Sequence, residues 1–155
     1  MKLNKVFVAL IILIFVSSIG MAVAEDASVA GYTFTVPEGY TILNTTDDSV
    51  VMQMDDNNAI VFSTNVGDDI EAAKETFISQ GKELIEENVQ DLDGLEVNLQ
   101  AFSVPGTDIN SYNYIVLSDD GNILVTVSSD DPNFDTDLNS EGNPAAEIFN
   151  SLEME

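Results

Sequence analysis

The sequence predicts an α+β fold, with an antiparallel β-sheet of about six strands flanked by helices in the order β-β-β-α-β-β-β-α. Several short segments alternate apolar and polar residues between turn residues, a pattern typical of antiparallel hairpins. Two further segments carry apolar residues at three- and four-residue spacing, which indicates helices with one apolar face. We therefore expect the helices to pack on the faces of the sheet.

Residues 1–24 have the three parts of a secretory signal peptide. Lysines precede an apolar run, Val6–Val16, and small residues follow it up to Ala24. This pattern predicts cleavage after Ala24, and it leaves residues 25–155 as a single domain that is secreted or held at the cell envelope. The alternative is an uncleaved N-terminal membrane anchor, because the apolar run and the small residues after it are together just long enough to span a bilayer.

The charge of residues 25–155 restricts the classes of partner. Two lysines remain beside 28 acidic residues, which gives a net charge of −26 with no arginine and no histidine. Such a surface repels nucleic acid and anionic membrane surfaces, so we expect a monomer that binds a protein or a ligand at the cell envelope. Adaptation to salt is an alternative explanation of the charge. With no cysteine in the chain, disulfides and thiolate metal sites are excluded.

The first half of the domain reads as short strands and turns. Alternation of apolar and β-forming residues predicts strands over residues 30–36, 40–43, 49–54 and 59–64. The turn residues Asp55–Asn58 join the last two strands into a hairpin. Asn44 opens the sequon Asn-Thr-Thr and is a glycosylation site if the host glycosylates exported proteins.

The stretch Asp68–Asn88 is predicted to form one long helix. Asp68 caps it, and the apolar face consists of Ile70, Ala73, Phe77, Ile78, Gly81, Leu84 and Ile85. Gly81 within this face suggests a close approach of the helix to the sheet. Lys74 lies near the apolar face, and we expect its ammonium group to reach an acid; the alternative is a buried amine that serves a site.

The second half repeats the pattern. Strands are predicted over residues 95–101, 112–118 and 122–128, with turns at 91–94 and 119–121. Phe102 is out of phase with its strand, which indicates either a second buried face of the sheet or an exposed patch. Asn143 caps a short final helix with Pro144 at its first position and an apolar face of Ala145, Ile148, Phe149 and Leu152.

The segment Tyr32–Tyr40, with the sequence YTFTVPEGY, is a strand followed by Pro-x-Gly-aromatic. In this motif and in its order of elements the chain resembles the PsbP-like superfamily of exported domains. The resemblance implies an α/β/α sandwich around an antiparallel sheet and a binding role more often than an enzymatic one. Because members bind unrelated partners, the resemblance does not identify the partner of this chain.

The residue types present argue against an enzyme. Without histidine or cysteine, the commonest general base and the thiol nucleophile are missing, and without arginine no bidentate clamp on a phosphate can form. A hydrolase that works through a pair of carboxylates is the remaining and least favoured enzymatic alternative.

One acidic segment resembles part of a calcium-binding loop. Asp131, Asn133, Asp135 and Asp137 place oxygen atoms at every second residue, as the first ligands of such a loop do. The glycine and the acid expected later in the loop are missing, so a solvated acidic loop is the alternative. Calcium is the only cofactor that the sequence suggests.

We therefore predict an exported or cell-surface, non-enzymatic binding domain, with a calcium-binding acidic surface protein as the alternative function. The turn Pro37–Tyr40 and the loop of residues 104–110 are the first surfaces at which to look for a partner.

Overall fold

The computed structural model describes residues 24–155. The predicted signal peptide lies outside the described residues apart from Ala24, which is exposed, so the cleavage stays a prediction. The elements are β1 Asp26–Val29, β2 Tyr32–Thr35, β3 Thr41–Thr45, β4 Ser49–Gln53, β5 Ala59–Ser63, α1 Ile70–Ser79, β6 Glu83–Leu92, β7 Leu95–Ser103, β8 Asn110–Val116, β9 Ile123–Ser129, α2 Pro144–Ser151 and β10 Glu153–Met154. Residues 25–155 thus contain every described element.

The strands form two antiparallel sheets. The larger sheet has seven strands in the order β3-β4-β5-β9-β8-β7-β6, and the smaller has three in the order β1-β2-β10. Consecutive strands β3, β4 and β5 form one antiparallel meander, and β6, β7, β8 and β9 form a second. The pairing of β5 with β9 joins the two meanders into one sheet. The chain therefore has the α+β fold that the sequence predicts, with the hairpins at both ends of the sheet.

The predicted number of about six strands was too low. β1 was missed because Ala30 and Gly31 were assigned to the start of a strand, although they form the turn of a hairpin. Both have positive φ, 52° and 83°, which is the backbone of the two-residue turn that best matches the twist of paired strands. β10 has two residues and pairs only with β2, so its sequence carries no signal of its own.

The prediction of one helix over 68–88 was wrong. The structure has α1 over Ile70–Ser79, capped by Asp69 rather than Asp68, and then the strand β6. Gly81, whose φ is 88°, follows the end of the helix: its N–H donates to the carbonyl of Ile78, and the N–H of Lys82 donates to that of Phe77. These two hydrogen bonds close the last turn of a helix and redirect the chain.

Gly81 therefore has a different role from the one predicted. A side chain added there would meet nothing within 4 Å, so close packing on the sheet is not the reason for the glycine. Its positive φ is the reason, because residues with a Cβ rarely adopt that conformation.

One face of the large sheet carries the main core. The small sheet, α2 and the segment between β9 and α2 cover this face, and Phe34 of β2 packs on Phe62 of β5 with ring centroids 4.7 Å apart. The N-terminal cap of α2 is Asn143, as predicted, and Ala145, Ile148 and Phe149 of the helix are buried.

The opposite face carries α1. The ring centroids of Phe77 in α1 and Phe102 in β7 are 5.3 Å apart, and Phe102 is fully buried. Phe102 therefore lies on a second buried face of the sheet, the first of the two predicted alternatives. Lys74 forms ion pairs with Glu71 and Glu87 at 2.7 and 2.9 Å, as expected for an ammonium that reaches an acid. No residue of α1 is itself buried, so this cover is thinner than that on the core face.

Within residues 24–155, no helix combines the length and the apolar composition needed to cross a membrane.

Candidate functional site

Strand β6 forms one edge of the large sheet. It is ten residues long, and in the described part of the chain it pairs with β7 alone. Every second residue of an edge strand turns its N–H and C=O groups away from the sheet, which leaves them free to pair with another chain. Most side chains of β6 are exposed, so access to this edge is open.

Exposed apolar side chains gather at this edge. Ile78 near the end of α1 is 48% exposed, and the β6 residues Leu84, Ile85 and Val89 are 38%, 54% and 60% exposed. Scattered apolar residues are normal on a protein surface, whereas several along one free strand make that strand a candidate interaction site. These were predicted to be the packed face of a helix, apart from Val89, and the structure instead exposes them.

The pairing of β6 with β7 is irregular at one point. The register passes from Leu84 opposite Phe102 to Glu86 opposite Ala101, which leaves Ile85 without a partner in a β-bulge. From Glu86 to Leu92 the pairing with β7 is regular. On the free side of this stretch, the carbonyl of Asp91 accepts a hydrogen bond from the amide of Asn139 at 3.2 Å.

A second segment runs beside β6. Residues 130–143, called here the acidic loop, are fixed to the strand through Gln90, which donates to the carbonyl of Thr136 at 3.0 Å and accepts from the N–H of Leu138 at 2.8 Å. Leu138 is buried, and the ring of Phe134 stacks on that of Tyr112 with the ring centroids 4.3 Å apart. These contacts place the loop at a defined position beside the strand.

Between β6 and the acidic loop lies an open groove of about 370 Å³, called here the β6 groove. It is lined by Glu86, Asn88, Val89, Gln90, Asp91, Thr136, Asp137 and Asn139. Carboxylates and amides dominate this lining, so the groove is acidic and rich in hydrogen-bonding groups.

The acids of the groove have no basic partner within the described residues. Within residues 24–155, the ion pairs are those of Lys74 with Glu71 and Glu87, outside the groove. Lys82, the other lysine of the domain, lies with its Nζ 4.7 Å from the centre of the Phe77 ring, and burial lowers its pKa. Glu86, Asp91 and Asp137 are thus left without a neutralising cation.

The predicted calcium ligands lie in the acidic loop. Asp131, Asp135 and Asp137 each accept a hydrogen bond from the backbone N–H two residues further along, at 2.8, 3.0 and 2.9 Å. Ser140 donates to the second oxygen of Asp135, and this bond together with the N–H of Asp137 lowers the pKa of Asp135.

Asn133, the fourth predicted ligand, is exposed. In residues 24–155, no three Asp, Glu, His or Cys side chains are grouped as a metal site requires. The calcium site stays a prediction.

The other predicted positions differ in exposure. Asn44 is exposed on β3, so a glycan there would meet no steric obstacle from the core. In the turn Pro37–Tyr40, Pro37 is buried and Tyr40 packs against the core, where burial raises the pKa of its hydroxyl. Residues 105–108 are exposed at the tip of the β7–β8 hairpin.

The sequence did not reveal β6 as a site because it assigned residues 83–88 to a helix. One signal was available in the sequence: the pair Asp93-Gly94 favours the two-residue turn that joins two strands, and in the structure both residues have the positive φ of that turn, 53° and 90°. It required a strand immediately before Asp93, which a helix ending at Asn88 does not supply.

Comparison with known proteins identifies the fold. No family model matches the chain, and no curated protein matches it. A crystal structure from Bacteroides thetaiotaomicron VPI-5482 is 17% identical over 81% of this chain and 46% of that chain, with a TM-score of 0.49. The solution structure of cyanobacterial PsbP (CyanoP) from Synechocystis sp. PCC 6803 matches over 93% of this chain and 99% of that chain, with a TM-score of 0.55 and 17% identity. The chain therefore has the PsbP-like fold.

Proposed function

We propose that residues 25–155 form an extracytoplasmic, non-enzymatic domain that binds another protein at the free edge of β6. The observation that carries this proposal is the edge itself: a long strand that, within residues 24–155, pairs on one side only and is flanked by exposed apolar side chains. An edge of this kind is avoided or covered in proteins that have no partner for it.

The composition supports a binding role over catalysis. The domain has no histidine, cysteine or arginine, so the common acid-base and nucleophilic groups are missing. The PsbP-like fold is consistent with binding, although a fold alone does not determine a function. The apolar N-terminal segment after two lysines supports export.

A retention experiment with one matched pair of variants tests the proposal. Residues 25–155 are immobilised and exposed to an envelope extract of the host at moderate salt. Val89→Lys places a charge on the β6 edge, and Thr45→Lys makes the same change of charge at an exposed position on β3, the opposite edge of the sheet. Circular dichroism confirms that both variants fold.

We expect at least one envelope protein to be retained by the wild type and by Thr45→Lys but lost with Val89→Lys. Lysine on an edge strand blocks pairing, and it also removes an apolar contact. Retention of the same proteins by both variants, or of none by the wild type, would contradict the proposal.

A further inference from the structure

We propose that the β6 groove receives a basic, extended segment of the partner, which adds to the sheet as an eighth strand beside β6. This inference rests on the proposed function and names the chemistry of the partner. It follows from the free backbone of β6, the unneutralised acids of the groove and the alternation of side chains along the strand.

The backbone defines the length of the added segment. The bulge at Ile85 interrupts the edge, and the regular stretch Glu86–Leu92 follows it, with the carbonyl of Asp91 bound to the amide of Asn139 near its far end. Seven residues of antiparallel strand span about 24 Å at 3.4 Å per residue. Strand addition at such an edge derives its affinity from main-chain hydrogen bonds and its specificity from alternate side chains.

The charge determines the sign of the segment. Glu86, Asp91 and Asp137 line the groove without a cation, and both lysines of residues 25–155 are engaged elsewhere. A lysine or arginine of the partner would neutralise these acids, since opposite charges at close range attract. An acidic segment would add repulsion to a domain of charge −26.

The pairing register determines the pattern of the segment. Glu86 and Asn88 lie opposite Ala101 and Leu99, on the side of the sheet that faces the acidic loop. Glu87, Val89 and Asp91 lie opposite Gln100, Asn98 and Glu96, on the side that carries α1. Side chains of an added strand alternate in the same way, so the matching segment has basic residues on the side of the acidic loop and a β-branched apolar residue beside Val89 on the other.

A second copy of the chain does not fit this site. Pairing β6 with β6 would bring the acids Glu83, Glu86, Glu87 and Asp91 of one copy against those of the other. Like charges on neighbouring strands are destabilising, and the domain has too few lysines to offset them. The same acids that exclude a copy favour a basic segment.

Three seven-residue peptides test this inference on residues 25–155. The first alternates lysine and valine, the second has the same sequence with every backbone nitrogen methylated, and the third has glutamate in place of lysine. Calorimetric titration at moderate salt measures the affinity of each, and sedimentation of the domain alone measures self-association.

We expect binding of the first peptide, at least tenfold weaker binding of the methylated peptide and none of the acidic one. Equal affinity of the first two would show charge attraction without strand pairing and would overturn the inference. A dimer that Val89→Lys dissociates would overturn it as well, because a second copy would then occupy the edge.

The two proposals fail in different ways. If an envelope protein is lost with Val89→Lys but the basic peptide does not bind, the edge is a binding site and strand addition is wrong. If the peptide binds as expected but retention of envelope proteins does not depend on Val89, the groove has the proposed chemistry and the domain binds its partner elsewhere.

Discussion

Asn143 donates a hydrogen bond from its side-chain amide to the hydroxyl oxygen of Tyr114, at 3.1 Å and in the buried core. The same amide donates to the carbonyl of Asp135, and its oxygen caps the first turn of α2 by accepting from Ala145. The hydroxyl of Tyr114 in turn donates to the carbonyl of Thr136, and burial raises the pKa of this hydroxyl well above its usual range. One asparagine thus joins the acidic loop, α2 and the sheet.

Replacement of Asn143 by alanine is expected to lower the free energy of unfolding by about 3 kcal/mol, because it removes a helix cap and leaves buried polar groups without partners. Chemical denaturation measures the loss. The control is Asp69→Ala, which removes the exposed cap of α1 and its bond to Ala72. If Asn143→Ala lowers the free energy of unfolding no more than Asp69→Ala does, the buried contacts of Asn143 contribute no stability beyond its helix cap.

Two buried serines in the large sheet should respond in opposite ways to the same substitution. The hydroxyl of Ser111 on β8 has no hydrogen-bond partner, whereas that of Ser129 on β9 donates to Asn58 and accepts from the N–H of Asp131. Ser111→Ala should be neutral or stabilise the domain by up to about 1 kcal/mol, and Ser129→Ala should destabilise it by about 1–2 kcal/mol. The difference in denaturation midpoints checks this, and a larger loss at Ser111 would contradict it.

Asp55 should make stability depend on acid pH. Its carboxylate accepts from the N–H groups of Asn57 and Asn58 and from the amide of Asn58, and these bonds, that of the Asn57 N–H first, lower its pKa from the ordinary value of 3.8. A lowered pKa contributes stability that is present above pH 3.8 and is lost as pH falls through the folded-state pKa.

Asp55→Ala is therefore expected to be less stable than the wild type at pH 7, and the difference should shrink below pH 3.8. Denaturation midpoints measured over a pH series give this difference. The control is Asp56→Ala at the neighbouring exposed position, which removes the same charge and leaves the hydrogen bonds of Asp55 in place. A difference at Asp55 that stays constant down to pH 2 would contradict the account.

Calcium titration tests the alternative function. Because the aspartates of the acidic loop accept hydrogen bonds from separate backbone N–H groups, we expect millimolar Ca²⁺ to raise the melting temperature no more than Mg²⁺ does at equal concentration. A ligand that binds only the folded state raises the melting temperature, and the rise increases with the logarithm of its affinity when the ligand is in excess. A shift specific to Ca²⁺ and abolished by Asp135→Asn would establish a calcium site.

Local sequence signals were sufficient to predict the elements whose structure is determined by residues close together in the chain. The cap at Asn143 before Pro144 and the hairpin of β8 and β9 depend on residues close in the chain, and the structure has both. The motif Tyr32–Tyr40, on which the resemblance to the PsbP-like superfamily rests, has the strand and the turn that the sequence predicts.

The sequence alone did not predict the elements whose structure depends on contacts between residues far apart in the chain. Leu84 and Ile85 continue the spacing of α1, and only Gly81 and the turn at Asp93 oppose a helix. Pairing with β7 then makes residues 83–92 a strand, since tertiary contacts override weak helix propensity. The β6 groove depends on Gln90 binding Leu138, 48 residues away, and no local pattern shows that contact.

Hydrogen exchange along β6 tests the central claim most directly. Exchange rates of the backbone amides in residues 25–155 are compared with and without the basic seven-residue peptide. We predict slower exchange at alternate residues of Glu86–Leu92, because strand addition protects only the outward N–H groups, and no change in Thr41–Thr45 of the opposite edge. Unchanged exchange along β6, or equal protection of both edges, would contradict the account.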